Sequence, residues 1–351
     1  MTKVLVTGGA GFIGSHLVDR LVDENFDVVV IDSLEKQVHK KFPNYLNPKA
    51  DYHFGRLEKH QAIKTILNDV EVVFHFASKV GVAQSQYEIN DFTNANIGST
   101  AFLLQNCINS SVKKIILSGS MGPYGEGPHL CATHGVVYPT IRSASDMKKG
   151  DFECKCPKCN KSTQNIAINE GHLFNPMSYY AITKQTQESM THLFGKLYGI
   201  KTISLRFFSV YGSRQTIGNP YAGPIPIFIS KILNNQKPLV FEDGNQSRDF
   251  VHVDDVVNAN LLAMRKNVLH ETYNIGTGKK TSISQLANEI CNLMKTDIKP
   301  LITKEFRVGD IRHSLADISK AKSELKYTPS VSLNDGLEEI LEWIKNKNLK
   351  I

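Results

Sequence analysis

A single tryptophan and six cysteines stand in 351 residues, and no apolar run approaches the ~20 residues that a membrane-spanning helix needs. Six thiols in a chain of this size do not make the dense disulfide framework of a small secreted domain. Three of them crowd together as Cys154, Cys156 and Cys159, a spacing that reads as metal ligation in a reducing compartment. Met1-Thr-Lys runs straight into Val-Leu-Val-Thr-Gly, too short an apolar stretch for a secretory signal, so the expected location is the cytoplasm. There is no internal repeat and no low-complexity tract. Charge of one sign is not concentrated either: the formal charge is +7, but the lysines are scattered, and their tightest cluster is Lys148, Lys149, Lys155 and Lys158. With no helix-turn-helix cue and no interleaving of basic and aromatic residues, nucleic acid is not the expected partner. A diffuse basic surplus suits a small anionic substrate such as a nucleotide diphosphate.

What is present is a chain with 41% hydrophobic residues, enough for a substantial core. Short apolar runs at Lys3–Val6, Asp27–Ile31, Val70–Phe76 and Lys114–Ser118 read as strands, separated by helical patterns such as Gly14–Val22 and Asn96–Asn109. That alternation predicts an α/β fold, a doubly wound, Rossmann-like parallel sheet with helices on both faces. From about Leu130 to Phe174 the rhythm stops in a segment rich in Cys, Lys, Gly, Asn and Ser, which reads as an insert. It resumes with a helix over Ser178–Tyr198 and a strand over Thr202–Phe207. A proline-rich loop, Gly218–Pro226, follows, and an amphipathic helix over Leu333–Asn346 comes last. The expected division is a dinucleotide-binding part over residues 1–205, which carries the insert, and a smaller α/β substrate part over 206–351, with the chain crossing between them.

Thr7-Gly-Gly-Ala-Gly-Phe-Ile-Gly14 follows the first strand and opens the first helix, the context in which a glycine motif binds a dinucleotide. Gly8 permits the tight turn, Gly11 lets backbone approach a diphosphate, and Gly14 lets helix pack on strand. The amides opening that helix, at Phe12 and Ile13, meet the phosphates at the positive end of the dipole. Asp32 ends the second strand, where a carboxylate bonds the adenosine ribose hydroxyls and repels a 2′-phosphate, selecting NAD over NADP. Tyr180-Ala-Ile-Thr-Lys184 places a phenol and an ammonium one helical turn apart. A phenol acts as a base near neutrality only with positive charge beside it, which Lys184 and an oxidised nicotinamide supply. Ser120, at the end of a strand, supplies a hydroxyl for the same substrate oxygen.

Glycine loop, strand-end Asp, strand-end Ser and helical Tyr/Lys, in that order, resemble the extended short-chain dehydrogenase/reductase family over nearly the whole chain. The resemblance implies that Phe76-Ala77-Ser78-Lys79 and Asn96 line the cofactor groove. It places Val82, Ser209, Asn219, Arg248, Arg307 and Asp310 on the substrate side, with Arg248 and Arg307 clamping a diphosphate through their planar forks. Two positions depart from the family pattern: Arg56 stands where an acid usually contacts adenine, and Ser209 where Asn is common.

Met121-Gly122 after Ser120 lacks the Asp-Glu pair of the family's dehydratases, which leaves the simpler chemistry of a 4-epimerase: oxidation at C4, rotation of the 4-keto sugar, and reduction on its other face. Gly218–Gly223, Phe241–Phe250 and the cysteine insert resemble the dTDP-L-rhamnose 4-epimerase group in particular. Cys131-Ala-Thr-His134 and Cys156-Pro-Lys-Cys159 form paired-ligand knuckles for a structural zinc ion, with Cys154 as a substitute ligand. Family likeness also implies a homodimer built on the helices near Asn96–Asn109 and Ser178–Tyr198. The rival readings are a nucleotide-sugar reductase or decarboxylase, which changes the product's oxidation state, a non-catalytic sugar-nucleotide or nucleic-acid-binding protein, and a zinc hydrolase.

Overall fold

Lys3-Val-Leu-Val-Thr7 and Asp27-Val-Val-Val-Ile-Asp32 are runs of β-branched residues buried on both faces, the pattern of strands inside a parallel sheet. The computed structural model describes residues 1–219 and 221–346; Pro220, in the proline-rich loop, lies outside the described residues. Seven strands form one sheet: β1 (Lys3–Thr7), β2 (Asp27–Asp32), β3 (Asp51–Phe54), β4 (Val72–His75), β5 (Lys114–Ser120), β6 (Lys201–Phe207) and β7 (His270–Ile275). All neighbours are parallel, in the order β7-β6-β5-β4-β1-β2-β3. The direction of winding therefore reverses between β1 and β4, and a crevice opens there at the carboxyl ends of the strands.

Alternation along each strand divides the core. Val4, Val6, Val28, Val30 and Phe74 face one layer with Leu17 and Leu21, while Leu5, Val29, Ile31 and Val73 face the other with Leu103 and Phe194. Helix α1 (Phe12–Asp23) lies in the first layer, and α2 (Ser99–Cys107) and α3 (Tyr179–Tyr198) in the second. A further apolar cluster joins α4 (Pro224–Leu233), α6 (Ile283–Leu293) and α7 (Leu333–Asn346) through Phe228, Ile229, Leu286, Ile290, Leu337 and Ile340. No helix among the described residues is long and apolar enough to cross a membrane.

The expected boundary at 205 falls inside β6. Residues beyond it return to the sheet: α5 (Val253–Arg265) contributes Val256, Val257 and Leu261 to the first layer, and β7 closes the sheet edge. The insert is less irregular than its composition suggests. His129–Cys131 pairs antiparallel with Gly135–Val137 and with Gln164–Asn165, and Ser143 caps a short helix over Ala144–Lys148.

His75, at the end of β4, ties the sheet to the helix layer that contains α2. Its Nδ1 lies 2.8 Å from Thr7 Oγ1 and its Nε2 2.8 Å from Thr100 Oγ1. The Thr100 hydroxyl donates to the Asn96 carbonyl at 2.7 Å, so His75 Nε2 is the donor to Thr100 and Nδ1 the acceptor from Thr7, a neutral ring. Burial, with the Lys184 charge nearby, pushes its pKa down to about 3 from an ordinary 6.5. An imidazole that charges at pH 6.5 unfolded but only near 3 folded leaves stability intact above 6.5 and erodes it as pH falls toward 3. Unfolding midpoints in denaturant should therefore show an acid loss of about 2 kcal/mol between pH 7 and 5 from this group, and His75→Gln should flatten that slope. An unchanged slope would remove His75 from the account.

Candidate active site

Each glycine of the first loop answers a steric demand. Gly8 has φ +73°, and a Cβ there would sit 2.8 Å from the Ala77 backbone nitrogen; at Gly14 it would sit 2.2 Å from the Gly8 carbonyl. Gly11 begins α1 in extended conformation with no side-chain cap, so the amides of the first turn open into the crevice. Asp32 is buried and aimed by two donors, the Ala10 amide at 2.9 Å and the Leu34 amide at 2.8 Å. Gly8, Gly11, Phe12, Ile13, Gly14 and Asp32 all line one cavity of about 870 Å³. The residues present fit a dinucleotide: small residues where a diphosphate must approach, a dipole to receive it, and a carboxylate spaced for ribose hydroxyls. Arg56 lines the same region and pairs with Glu58 at 3.7 Å.

Ala77 and Lys79 line the cavity, but Asn96 does not. It is fully buried behind the wall, where its Oδ1 accepts from the Lys79 amide at 2.6 Å and its Nδ2 donates to Thr183 Oγ1 at 2.9 Å. Asn96 is thus a brace between the β4 loop and α3. Lys79 is not a free cation, because its ammonium meets Glu88 at 2.5 Å and Asp91 at 3.5 Å.

Helix α3 is capped by Ser178, whose hydroxyl accepts from the Ala181 amide at 3.1 Å. Its inner face packs on β5, which brings Tyr180 and Lys184 beside Ser120. The Gly122 amide donates to Ser120 Oγ at 3.0 Å, leaving the hydroxyl hydrogen for a partner in the cavity. Burial raises the Tyr180 pKa despite the opposing Ser120 hydrogen bond, and burial lowers Lys184 to about 7 despite Glu188. The net direction for the phenol is upward, because desolvation outweighs the Ser120 hydrogen bond that opposes it. A proton leaves Tyr180 readily only when further positive charge arrives, which is what a bound oxidised nicotinamide would bring. Glu188, the counter-charge one turn beyond Lys184, is fixed by Arg206 Nε at 3.0 Å and Ser204 Oγ at 2.7 Å.

Across the cavity stand Val82, Ser209, Asn219, Arg248, Arg307 and Asp310. Arg248 donates to the Ser247 carbonyl at 2.8 Å and pairs with Asp310 at 3.3 Å, while the Arg307 guanidinium lies 4.8 Å from the centre of the Phe241 ring. Sequence reasoning missed Met177 and the start of α4, Pro224–Phe228, which also line the cavity. A proline at the first position of a helix after a glycine was the available signal.

In the insert, the Sγ of Cys131 lies 3.6 Å from His134 Nδ1 and 3.7 Å from Cys159 Sγ, and Cys156 Sγ lies 3.5 Å from the same nitrogen. The four ligand atoms are within 4.8 Å of one another. Cys154 is not among them; it is fully buried beside Glu126 and His129.

A parallel sheet with a glycine loop at its switch point and a Ser, Tyr and Lys facing it defines a nicotinamide-dependent enzyme of the short-chain type. The chain matches the NAD dependent epimerase/dehydratase family over residues 4–142 and 154–276, and it belongs to that family. It is 35% identical to a putative UDP-glucose 4-epimerase of Methanocaldococcus jannaschii, covering 98% of this chain and 99% of that one. It is 31% identical to the dTDP-L-rhamnose 4-epimerase of Burkholderia thailandensis, covering 97% and 94%. Its structure is similar, at a TM-score of 0.83 and 32% identity over 99% of both chains, to a UDP-N-acetylglucosamine 4-epimerase from Methanobrevibacter ruminantium in complex with UDP-N-acetylmuramic acid.

Removal of the Tyr180 hydroxyl is the direct test of the trio. Tyr180→Phe should lower turnover by ~10²–10⁴ with bound NAD retained. Residual activity near wild type would move the base elsewhere.

Proposed function

We propose that this protein is an NAD-dependent nucleotide-sugar 4-epimerase that interconverts dTDP-L-rhamnose and its 6-deoxy-L-talose epimer. The observation that carries the epimerase reading is that Ser120, Tyr180 and Lys184 share one cavity with Asp32 and the glycine loop, while Met121 and Gly122 stand where a dehydratase needs acids. Bound NAD supplies a reversible store for the electron pair from C4. Tyr180 takes the C4 hydroxyl proton, Ser120 hydrogen-bonds the same oxygen, and Lys184 steadies the phenolate. Arg248 and Arg307 receive the diphosphate, so the sugar can turn about that anchor and be reduced on its opposite face.

A 6-deoxy sugar is supported by the apolar lining: Val80, Met121 and Met177 border the cavity, and its nearby cation, Lys79, is already paired with Glu88 and Asp91. A sugar carboxylate would lack a free charge there. The likeness to the Burkholderia thailandensis enzyme points the same way.

The reading extends to a structural zinc ion on Cys131, His134, Cys156 and Cys159. A tetrahedron with Zn–S of about 2.3 Å and Zn–N of about 2.05 Å has edges of roughly 3.8 Å between sulfurs and 3.55 Å between sulfur and nitrogen. The separations of 3.7, 3.6 and 3.5 Å match those edges. Six free thiols suit the cytoplasm, and exposed Ile182, Leu193 and Leu197 on α3 suit a homodimer, which a monomeric mass by light scattering would refute.

Incubation with a panel of nucleotide sugars, dTDP-L-rhamnose included, should give a C4 epimer by NMR without net change in NAD. Net consumption of cofactor would favour a reductase or decarboxylase instead. Elemental analysis should find one zinc per chain, lost in Cys156→Ser; a metal-free wild type with full thermal stability would sink the zinc site.

A further inference from the structure

The insert carries one guanidinium, and all but one of its partners lie outside the insert. Arg142 is almost fully buried. Its Nη1 donates to the Phe152 carbonyl at 3.0 Å, within the insert, and to Glu242 Oε2 at 3.0 Å. Its Nη2 reaches the Asp310 carbonyl at 2.7 Å and Glu242 Oε1 at 2.9 Å, and its Nε stands 3.3 Å from Glu126 Oε1. Asp310 in turn holds Arg248 through its carboxylate, and its amide donates to the Arg307 carbonyl at 3.3 Å. One side chain therefore fixes the short segment on which two substrate-side arginines depend.

The neighbouring residues repeat the arrangement. Arg312, with no exposed surface, donates its amide to Glu126 Oε2 at 2.8 Å and its guanidinium to Glu153 at 3.1 Å and Glu242 at 2.8 Å. Glu126 precedes the insert and Glu153 lies within it, so residues 310 and 312 are both held by groups of that region. Burying this many charges is costly unless every partner stays in place, which makes the geometry stiff rather than adaptable.

We propose that Arg142 is a positioning residue for nucleoside diphosphate binding: it does not touch the ligand but sets Asp310, and through it Arg248 and Arg307, at the spacing a diphosphate needs. The insert thereby serves as a buttress for the substrate side of the cavity. This inference rests on the nucleotide-sugar reading of that side. The NAD side, built on β1, β2 and α1, makes none of these bonds and should not respond.

The test uses TDP and UDP as probes, titrated by calorimetry into NAD-loaded full-length protein, with bound NAD and thermal midpoint measured alongside. Arg142→Ala should weaken both diphosphates about tenfold or more, the effect expected from losing bonds to charged groups, while NAD content stays at the wild-type level. Arg142→Lys keeps the charge but not the fork, and it should fall between the two. If Arg142→Ala does not fold, the lysine variant carries the same comparison: weaker diphosphate binding with full NAD supports the proposal. Unchanged diphosphate affinity in a folded variant overturns it, as does parallel loss of NAD and diphosphate, which would mark a general structural role. Wild-type protein that binds neither TDP nor UDP would remove the nucleotide-sugar reading and this inference with it, an outcome distinct from equal binding by wild type and variant.

Discussion

The amine of Lys184, held inside the protein where burial lowers its pKa to about 7, is the constraint on which the candidate site depends. Helix α3 lies against β5 with Lys184 only 3% exposed, and the charge that favours its protonated form there is one carboxylate. That carboxylate, Glu188, would itself be costly to bury, and it persists because Arg206 and Ser204 hold it. Asn96 and His75 complete the bracing, the first by joining the β4 loop to Thr183, the second by linking Thr7 to the helix layer through Thr100. A site stiffened this way keeps Tyr180 and Ser120 aligned before any ligand arrives, which is where electrostatic preorganisation comes from.

The two sides of the cavity are built differently. The cofactor side is backbone geometry: a glycine turn, open amides, and an aspartate aimed by two of its neighbours' amides. The substrate side is side-chain geometry, arginines set by carboxylates, and its supports come from the insert as much as from the second half of the chain. Cofactor recognition of the first kind is common to many enzymes with this sheet, whereas the second can vary with each inserted segment. A nucleotide-sugar enzyme can thus change its substrate without disturbing its redox chemistry.

Much of this was legible along the chain. The periodicity of Lys3–Val6 and Asp27–Ile31, the glycine spacing before α1 and the amphipathic pattern of Leu333–Asn346 all survive in the structure because each is a local property of strand, turn or helix. Strand β3 was not, since Asp51–Phe54 is a half-exposed edge strand of four residues with no buried face to impose alternation. Nor was β7: His270-Glu-Thr-Tyr-Asn-Ile275 is mostly polar and shows no apolar run, yet it closes the sheet beside β6. Asn96 and Arg142 were unreadable as braces, because their partners lie in distant segments.

What the sequence determined by itself was the class of fold and the chemical inventory: a glycine loop between strand and helix, an acid at the end of β2, a tyrosine and lysine one turn apart, and the close pairs Cys131/His134 and Cys156/Cys159. Each is a short-range pattern, fixed by backbone stereochemistry and helical or strand period. Only the tertiary structure decided which of those groups meet and in what state of charge. It put Asn96 behind the wall rather than in the groove, tied Lys79 to two acids, sent Cys154 to Glu126 instead of the cluster of Cys131, His134, Cys156 and Cys159, and raised the Tyr180 pKa by burial. The physical reason is that desolvation and long-range pairing depend on every segment packed around a group, and no window of sequence contains them all.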